Sequence, residues 1–176
     1  MLSGDEHVVE YRPPVNVVPI ESGKTLAEMV ISGELAAAIG IDVKHPDVKP
    51  LIPNAIEAGL HALHDRGEYP INHLIVVKDD VLAAHADLAP EIFNAFAEAK
   101  RRYIDRLKTN RIEQPTEVDN LHRRVMEMTG DPLPYGIEPN RNVIETLIAH
   151  AVTQRIIPYP VTADELFAAN TRTLSA

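Results

Sequence analysis

The sequence predicts an α/β fold, on three observations. Short apolar runs at residues 15–18, 35–41 and 74–77 have the length and composition of strands. They alternate with longer segments whose apolar residues recur every three or four positions, the spacing of helices. Capping residues and glycines fall at the seams. Three strands are few for about six helices, because an open parallel sheet needs more neighbours. The deficit points to sheet partners that are absent or come from another chain.

Residues 7–20 are irregular, since Pro13 and Pro14 disfavour a helix, and 15–18 suits a short strand. After a turn at Glu21-Ser22-Gly23, Thr25 and Glu28 stand in capping-box register. Leu26, Met29 and Val30 form the stripe of a short helix that Gly33 ends. Residues 35–41 (LAAAIGI) are apolar throughout, as in a strand covered on both faces, although an Ala-rich run also suits a helix. Pro46, Pro50 and Pro53 hold 42–53 as a loop, and 54–66 form a helix ending near Gly67. Residues 69–73 (YPINH) lead into the β-branched run 74–77, a buried strand.

A helical stretch opens at Asp79 and Asp80. Pro90 restarts it as a longer helix with Ile92, Phe96, Ala99, Tyr103 and Leu107 on one face, Phe96 and Tyr103 packing near the 74–77 strand. Thr116 caps the next helix, with Val118, Leu121, Val125 and Met128 inward and Gly130 as its stop. Residues 131–139 (DPLPYGIEP) form a loop stiffened by three prolines. Residues 140–154 form a helix with Val143, Leu147 and Ala151 on one side, and Thr162 with Glu165 caps a last short helix.

Hydrophobic residues make up 45% of the chain and charged ones 24%, enough to build a core and a solvated surface. The net charge of −9 argues against a general grip on nucleic acid, which needs clustered cations. Lys100, Arg101, Arg102, Arg106 and Lys108 crowd one segment and Arg123 and Arg124 another; both are expected to be solvated helix faces. The absence of cysteine excludes disulfides, thiol nucleophiles and thiolate metal sites. The opening MLSGDE turns acidic with no apolar signal region, and no run approaches a membrane span, so a cytoplasmic location is expected.

Three chemical motifs fail. Gly23-Lys24-Thr25 lacks the earlier glycine of a phosphate loop, Val18 standing in its place. His61 and His64 share a helix face, but they match no metal motif and read as a solvated pair. No nucleophile elbow is present.

The stretch 67–103 (GEYPINHLIVVKDDVLAAHADLAPEIFNAFAEAKRRY) and the stretch 131–167 (DPLPYGIEPNRNVIETLIAHAVTQRIIPYPVTADELF) resemble the 4,5-dihydroxyphthalate decarboxylase family. Tyr-Pro-Ile-x-His at 69–73, Phe-x-Ala-Phe-x-x-Ala-Lys at 93–100 and Pro-Tyr-Gly-Ile-x-Pro-Asn-Arg at 134–141 carry the likeness. Residues 33–39 (GELAAAI) resemble a further element of the wider fold group, with Ala36 where aspartate is frequent. The resemblance implies a periplasmic-binding-protein-like II fold. It covers only the C-terminal half of the family's length, so the fold is expected to be incomplete, one lobe plus the C-terminal part of the other. Residues 1–70 would belong to the second lobe and 71–176 to a helix-rich return to the first.

The implied activity is decarboxylation of an aromatic dicarboxylic acid such as 4,5-dihydroxyphthalate. The competing readings are a non-catalytic ligand-binding module and an inactive fragment. His73, where a turn enters a strand, suits proton transfer or a hydrogen bond to a carboxylate or phenol, against a structural histidine bonded to backbone. Tyr69 and Asn72 flank that turn and suit oxygen ligands, against core packing and a turn role. Tyr135, Asn140 and Arg141 stand in the other block. Arg141 offers the planar fork that carboxylates fit, against a surface role, and Asn140 doubles as an N-cap. The expected partner is a small aromatic acid, with a homo-oligomer or a separate N-terminal half as further options. No cofactor is singled out.

Overall fold

In a computed structural model, residues 15–71 and 73–176 are described. The chain divides into two compact units, one up to Ala58 and one spanning Gly59–Ala176, the division falling inside a helix. Among the described residues six α-helices follow in order: α1 (Leu26–Ile31), α2 (Ala55–Arg66), α3 (Asp79–Ala84), α4 (Leu88–Lys108), α5 (Glu117–Thr129) and α6 (Ile137–Thr153). Two short 3-10 turns, Ala163–Leu166 and Ala169–Thr171, close the chain.

This is a helical protein, 51% helix, and the α/β expectation is overturned. None of the three expected strands forms: 15–18, 35–41 and 74–77 are turns, bends or unpaired backbone. Instead of being buried, residues 74–76 are exposed, Leu74 at 53% and Val76 at 89%. The physical reason lies in partners. A strand is stabilised by a neighbour that accepts its N–H groups and donates to its carbonyls, and β-propensity supplies no neighbour. Among the described residues the sole β-type pairing is a single antiparallel bridge between Gly136 and Ser175. A periplasmic-binding-protein-like lobe, which needs a sheet, is therefore not the architecture.

The helices follow local rules closely. In the first unit, Thr25 Oγ1 accepts from the Glu28 N–H at 3.2 Å while Glu28 Oε2 receives the Thr25 N–H at 3.0 Å, which starts α1. The same box recurs at Thr116 with Asp119 on α5 and at Thr162 with Glu165 before the first 3-10 turn. Gly130 takes the left-handed conformation that stops α5.

In the second unit the core is small. Ile137, Ile144 and Ile148 on α6 bury against Ala163, with Ile71, Ile157 and Phe167 packed around them. Between α4 and α5, Leu107 and Val125 are each 1% exposed. The buried faces differ from the expected ones. On α6 the expected Leu147 is exposed, and the inward row is Ile137, Asn140, Ile144 and Ile148. On α4, Phe96 and Ala99 are exposed and Lys100 is buried. The basic run is thus not one solvated face: Arg101 and Arg102 pair with Glu98 at the surface, while Lys100 points inward.

Candidate functional site

The loop joining α5 to α6, residues 131–136, is held by side chains from elsewhere in the second unit. Pro132 and Pro134 carry no N–H, so their rigid backbone presents carbonyls that need donors from elsewhere. The Tyr69 hydroxyl donates to the Pro132 carbonyl at 3.0 Å. The Asn140 side-chain amide donates to the carbonyls of Pro134 and Gly136, each at 2.8 Å. The Leu133 N–H donates to Asp131 Oδ1 at 3.0 Å. Tyr135 exchanges main-chain hydrogen bonds with Ala176, at 2.9 and 3.2 Å.

Lys100 reaches this loop from α4. Its ammonium donates to Asp131 Oδ2 and to the main-chain oxygen of Ala176, both at 2.6 Å, and lies 5.3 Å from the centre of the Tyr135 ring. With 8% of its side chain exposed, Lys100 is a buried cation held by one carboxylate, one main-chain oxygen and an aromatic face. An open groove of about 720 Å³ runs alongside, lined by Ala97, Lys100, Arg101 and Ile104 of α4 together with Asp131 and Ala176. Burial, with the nearby Asp131 carboxylate, raises the Tyr69 hydroxyl above the usual phenol range, so it stays a donor.

A second network joins α4 to α5. The Tyr103 hydroxyl donates to Asp119 Oδ1 at 2.7 Å and lies 2.9 Å from His122 Nδ1. Burial, reinforced by that hydrogen bond, pushes the Tyr103 phenol up to about 12. The Thr116 N–H, the Tyr103 hydroxyl and the Thr116 hydroxyl together hold the Asp119 carboxyl down at about 2. Burial lowers His122 below the usual histidine range against an opposing pull from Asp119.

Asp119 therefore carries a pH signature. Its folded value lies below the ordinary 3.8, so its ionised form binds the fold more tightly than the unfolded chain. That stability is complete above the ordinary value and is lost as pH falls towards about 2. The difference in urea midpoint between the parent chain and Asp119→Ala is expected to hold steady at neutral pH and to narrow on acidification through this window. A difference that is flat down to the lower value would remove Asp119 from the acid transition.

Tyr69 and Tyr135 both belong to the 131–136 environment. Asn72 lies outside the described residues. His73 is exposed and makes no hydrogen bond to a described residue. Asn140 is 6% exposed and cross-braces the loop through its amide. Arg141 holds Asp164 Oδ1 at 3.3 Å, pairs with Glu138, and reaches Glu145 at 3.7 Å. Its guanidinium joins α6 to the first 3-10 turn, and binding an outside carboxylate there means exchanging one of these. His61 and His64 are exposed, and among the described residues no group of three or more His, Asp and Glu is placed to hold a metal ion.

Four residues with chemical potential escaped the sequence: Lys100, Tyr103, Asp119 and His122. Lys100 ends the Phe-x-Ala-Phe-x-x-Ala-Lys motif, which was the available signal. Tyr103 was placed on an apolar stripe, while Asp119 and His122 sit at the spacing that puts both on one helix face. No protein-family model, curated protein or solved structure matches the chain. No helix among the described residues is long and apolar enough to cross a membrane.

Proposed function

We propose that this chain acts in the decarboxylation of an aromatic dicarboxylic acid such as 4,5-dihydroxyphthalate. One observation carries the reading: the two sequence blocks that resemble the decarboxylase family meet in space. Tyr69 of the first block donates to Pro132 of the second, 63 positions away, and Ile71 packs on the α6 core of the second. Packing alone gives no reason for a polar hydroxyl of one block to find the proline loop of the other. Rigid loops that gather polar and aromatic side chains are where small-ligand sites are built.

The chemistry sets the roles. Loss of carbon dioxide leaves an electron pair on the ring carbon. A phenol ortho or para to that carbon takes up the electrons by ketonising, and an acid then protonates the carbon. His73 is assigned as the acid, Tyr69 and Tyr135 as contacts to the ring and its oxygens, and Arg141 as a partner for the second carboxylate.

The test is carbon dioxide release from 4,5-dihydroxyphthalate, with binding followed by calorimetry. Turnover is expected to be weak at best from a chain that resembles only half the family's length, and His73→Ala is expected to lower whatever is measured by about 100-fold, the lower end for a lost acid or base. Saturable binding without carbon dioxide would replace this reading with the ligand-binding module. Neither binding nor turnover would overturn both.

A further inference from the structure

The α4–α5 interface holds a titratable cluster that the roles above do not use. Tyr103 Oη makes two contacts, 2.7 Å to Asp119 Oδ1 and 2.9 Å to His122 Nδ1. A phenol has one hydrogen to donate, and an ionised carboxylate only accepts. The Tyr103 hydrogen is therefore directed at Asp119. The Tyr103 oxygen then faces His122 with a lone pair, so Nδ1 of His122 carries a hydrogen. In the neutral imidazole this leaves Nε2 bare, as an acceptor.

The arrangement is fixed at each member. Asp119 Oδ2 receives the Thr116 N–H at 2.7 Å and the Thr116 hydroxyl at 2.8 Å, so the carboxylate cannot turn without losing the cap of α5. The Tyr103 and His122 rings meet edge to face, with centroids 5.7 Å apart and planes at 78°. His122 is half-buried. The charged and titratable groups bearing on Tyr103 are Asp119 and Arg123 from α5 and Tyr69 from the segment before α3. Arg123 has a buried Nε–H with no acceptor among the described residues.

We propose that Tyr103, Asp119 and His122 form an oriented relay in which Nε2 of His122 takes the proton of a weakly acidic ligand hydroxyl, that of a catechol. The ligand O–H bond breaks, the Nε2–H bond forms, and the electron pair stays on the ligand oxygen as a phenolate. Asp119 stabilises the imidazolium through Tyr103. Return of the proton to the oxygen restores the starting state. The relay rests on the decarboxylase reading for the identity of its ligand, since a phenolate ortho or para to the leaving carboxyl supplies the electrons that ketonisation needs. His122 is then a catalytic residue, and Tyr103 and Asp119 are positioning residues. Burial holds His122 below the usual histidine range, so the neutral imidazole with its bare Nε2 is the resting form at neutral pH.

The experiment has three arms on the full chain. Nitrogen-15 NMR of the histidine side chains reads the tautomer: His122 is expected with hydrogen on Nδ1, and hydrogen on Nε2 in the neutral ring would overturn the relay. The second arm titrates 4-nitrocatechol, whose visible absorption reports its ionisation, at a pH below its own pKa. It is expected to bind as the anion, with affinity about tenfold weaker and the anion spectrum lost in His122→Gln. Tyr103→Phe, which keeps the ring, is expected to retain the circular dichroism of the parent and to release the fixed tautomer. Absence of probe binding, or an unchanged anion spectrum in His122→Gln, would sink the proposal. The third arm separates it from the decarboxylase reading. Carbon dioxide release undiminished in His122→Gln overturns the relay and leaves the activity standing, whereas anion binding without any carbon dioxide keeps the relay and overturns the activity.

Discussion

Asp131→Ala is expected to destabilise the chain by about 2–3 kcal/mol, more than removal of the lysine it pairs with. The asymmetry follows from which partner is buried. Lys100 has 8% of its side chain exposed and Asp131 has 39%. Removing Asp131 leaves a buried ammonium with one main-chain oxygen and the Tyr135 ring, and an unpaired buried charge is the expensive case. It also removes the acceptor for the Leu133 N–H. The figure sits below the range for a fully buried pair because water reaches the Asp131 side and screens it. Lys100→Met keeps most of the volume, removes the charge, and leaves Asp131 free to hydrate. Its cost is expected to be about 1 kcal/mol, and the double variant should resemble it. Urea midpoints of the three variants decide the matter. Lys100→Met more damaging than Asp131→Ala would mean that the ammonium is held chiefly by Ala176 and Tyr135.

The same lysine shows why part of the site stayed hidden in the sequence. A lysine among arginines on a charged helix is solvated by default, and its burial depends on an aspartate 31 positions away and on Ala176, 76 positions away. Neither partner is visible in a local window. Asp119 and His122 were hidden for a related reason. Asp119 was not singled out at all, because its bond to Tyr103 depends on how α4 lies against α5. What was legible was local. Thr25 with Glu28, the cap at Thr116, Thr162 with Glu165 and the stop at Gly130 each involve neighbours within four positions, and their geometry needs no other part of the fold.

Helix faces failed where apolar residues surround the axis. On α6, Val143, Ile144, Leu147, Ile148 and Ala151 leave more than one plausible stripe, and the buried one includes Asn140, a polar residue satisfied by two carbonyls. The strands failed for the opposite reason. The runs 15–18, 35–41 and 74–77 have strand-like composition, yet pairing is a property of two segments. Among the described residues a second segment is provided only at Gly136 and Ser175, where glycine and serine carry no β signal at all.

That single bridge supplies the other large expected effect, Gly136→Ala. Gly136 has φ 108° and ψ 167°, a region that side-chain-bearing residues almost never enter, and the strain alone is about 1–3 kcal/mol. A Cβ there would also overlap the carbonyl oxygen of Leu174 and lie 3.1 Å from Ser175 Cα. Both obstacles are backbone, so relief requires residues 174–176 to lift away. Lifting breaks the Tyr135–Ala176 pair and takes one of the two oxygen partners from the buried Lys100. The total is expected to reach about 3–5 kcal/mol, in the range reserved for a named structural failure. Gly130→Ala is the control. Gly130 also has a positive φ, 85°, but a Cβ there meets nothing within 4 Å, and its penalty is expected to be about 1 kcal/mol. Deleting residues 174–176 separates strain from overlap. In the shortened chain the overlap is gone, and Gly136→Ala should fall to the cost of strain alone while Gly130→Ala stays unchanged. An equal Gly136→Ala penalty in the full and shortened chains, measured by urea unfolding, would show that the bridge to Ser175 contributes nothing to holding the loop.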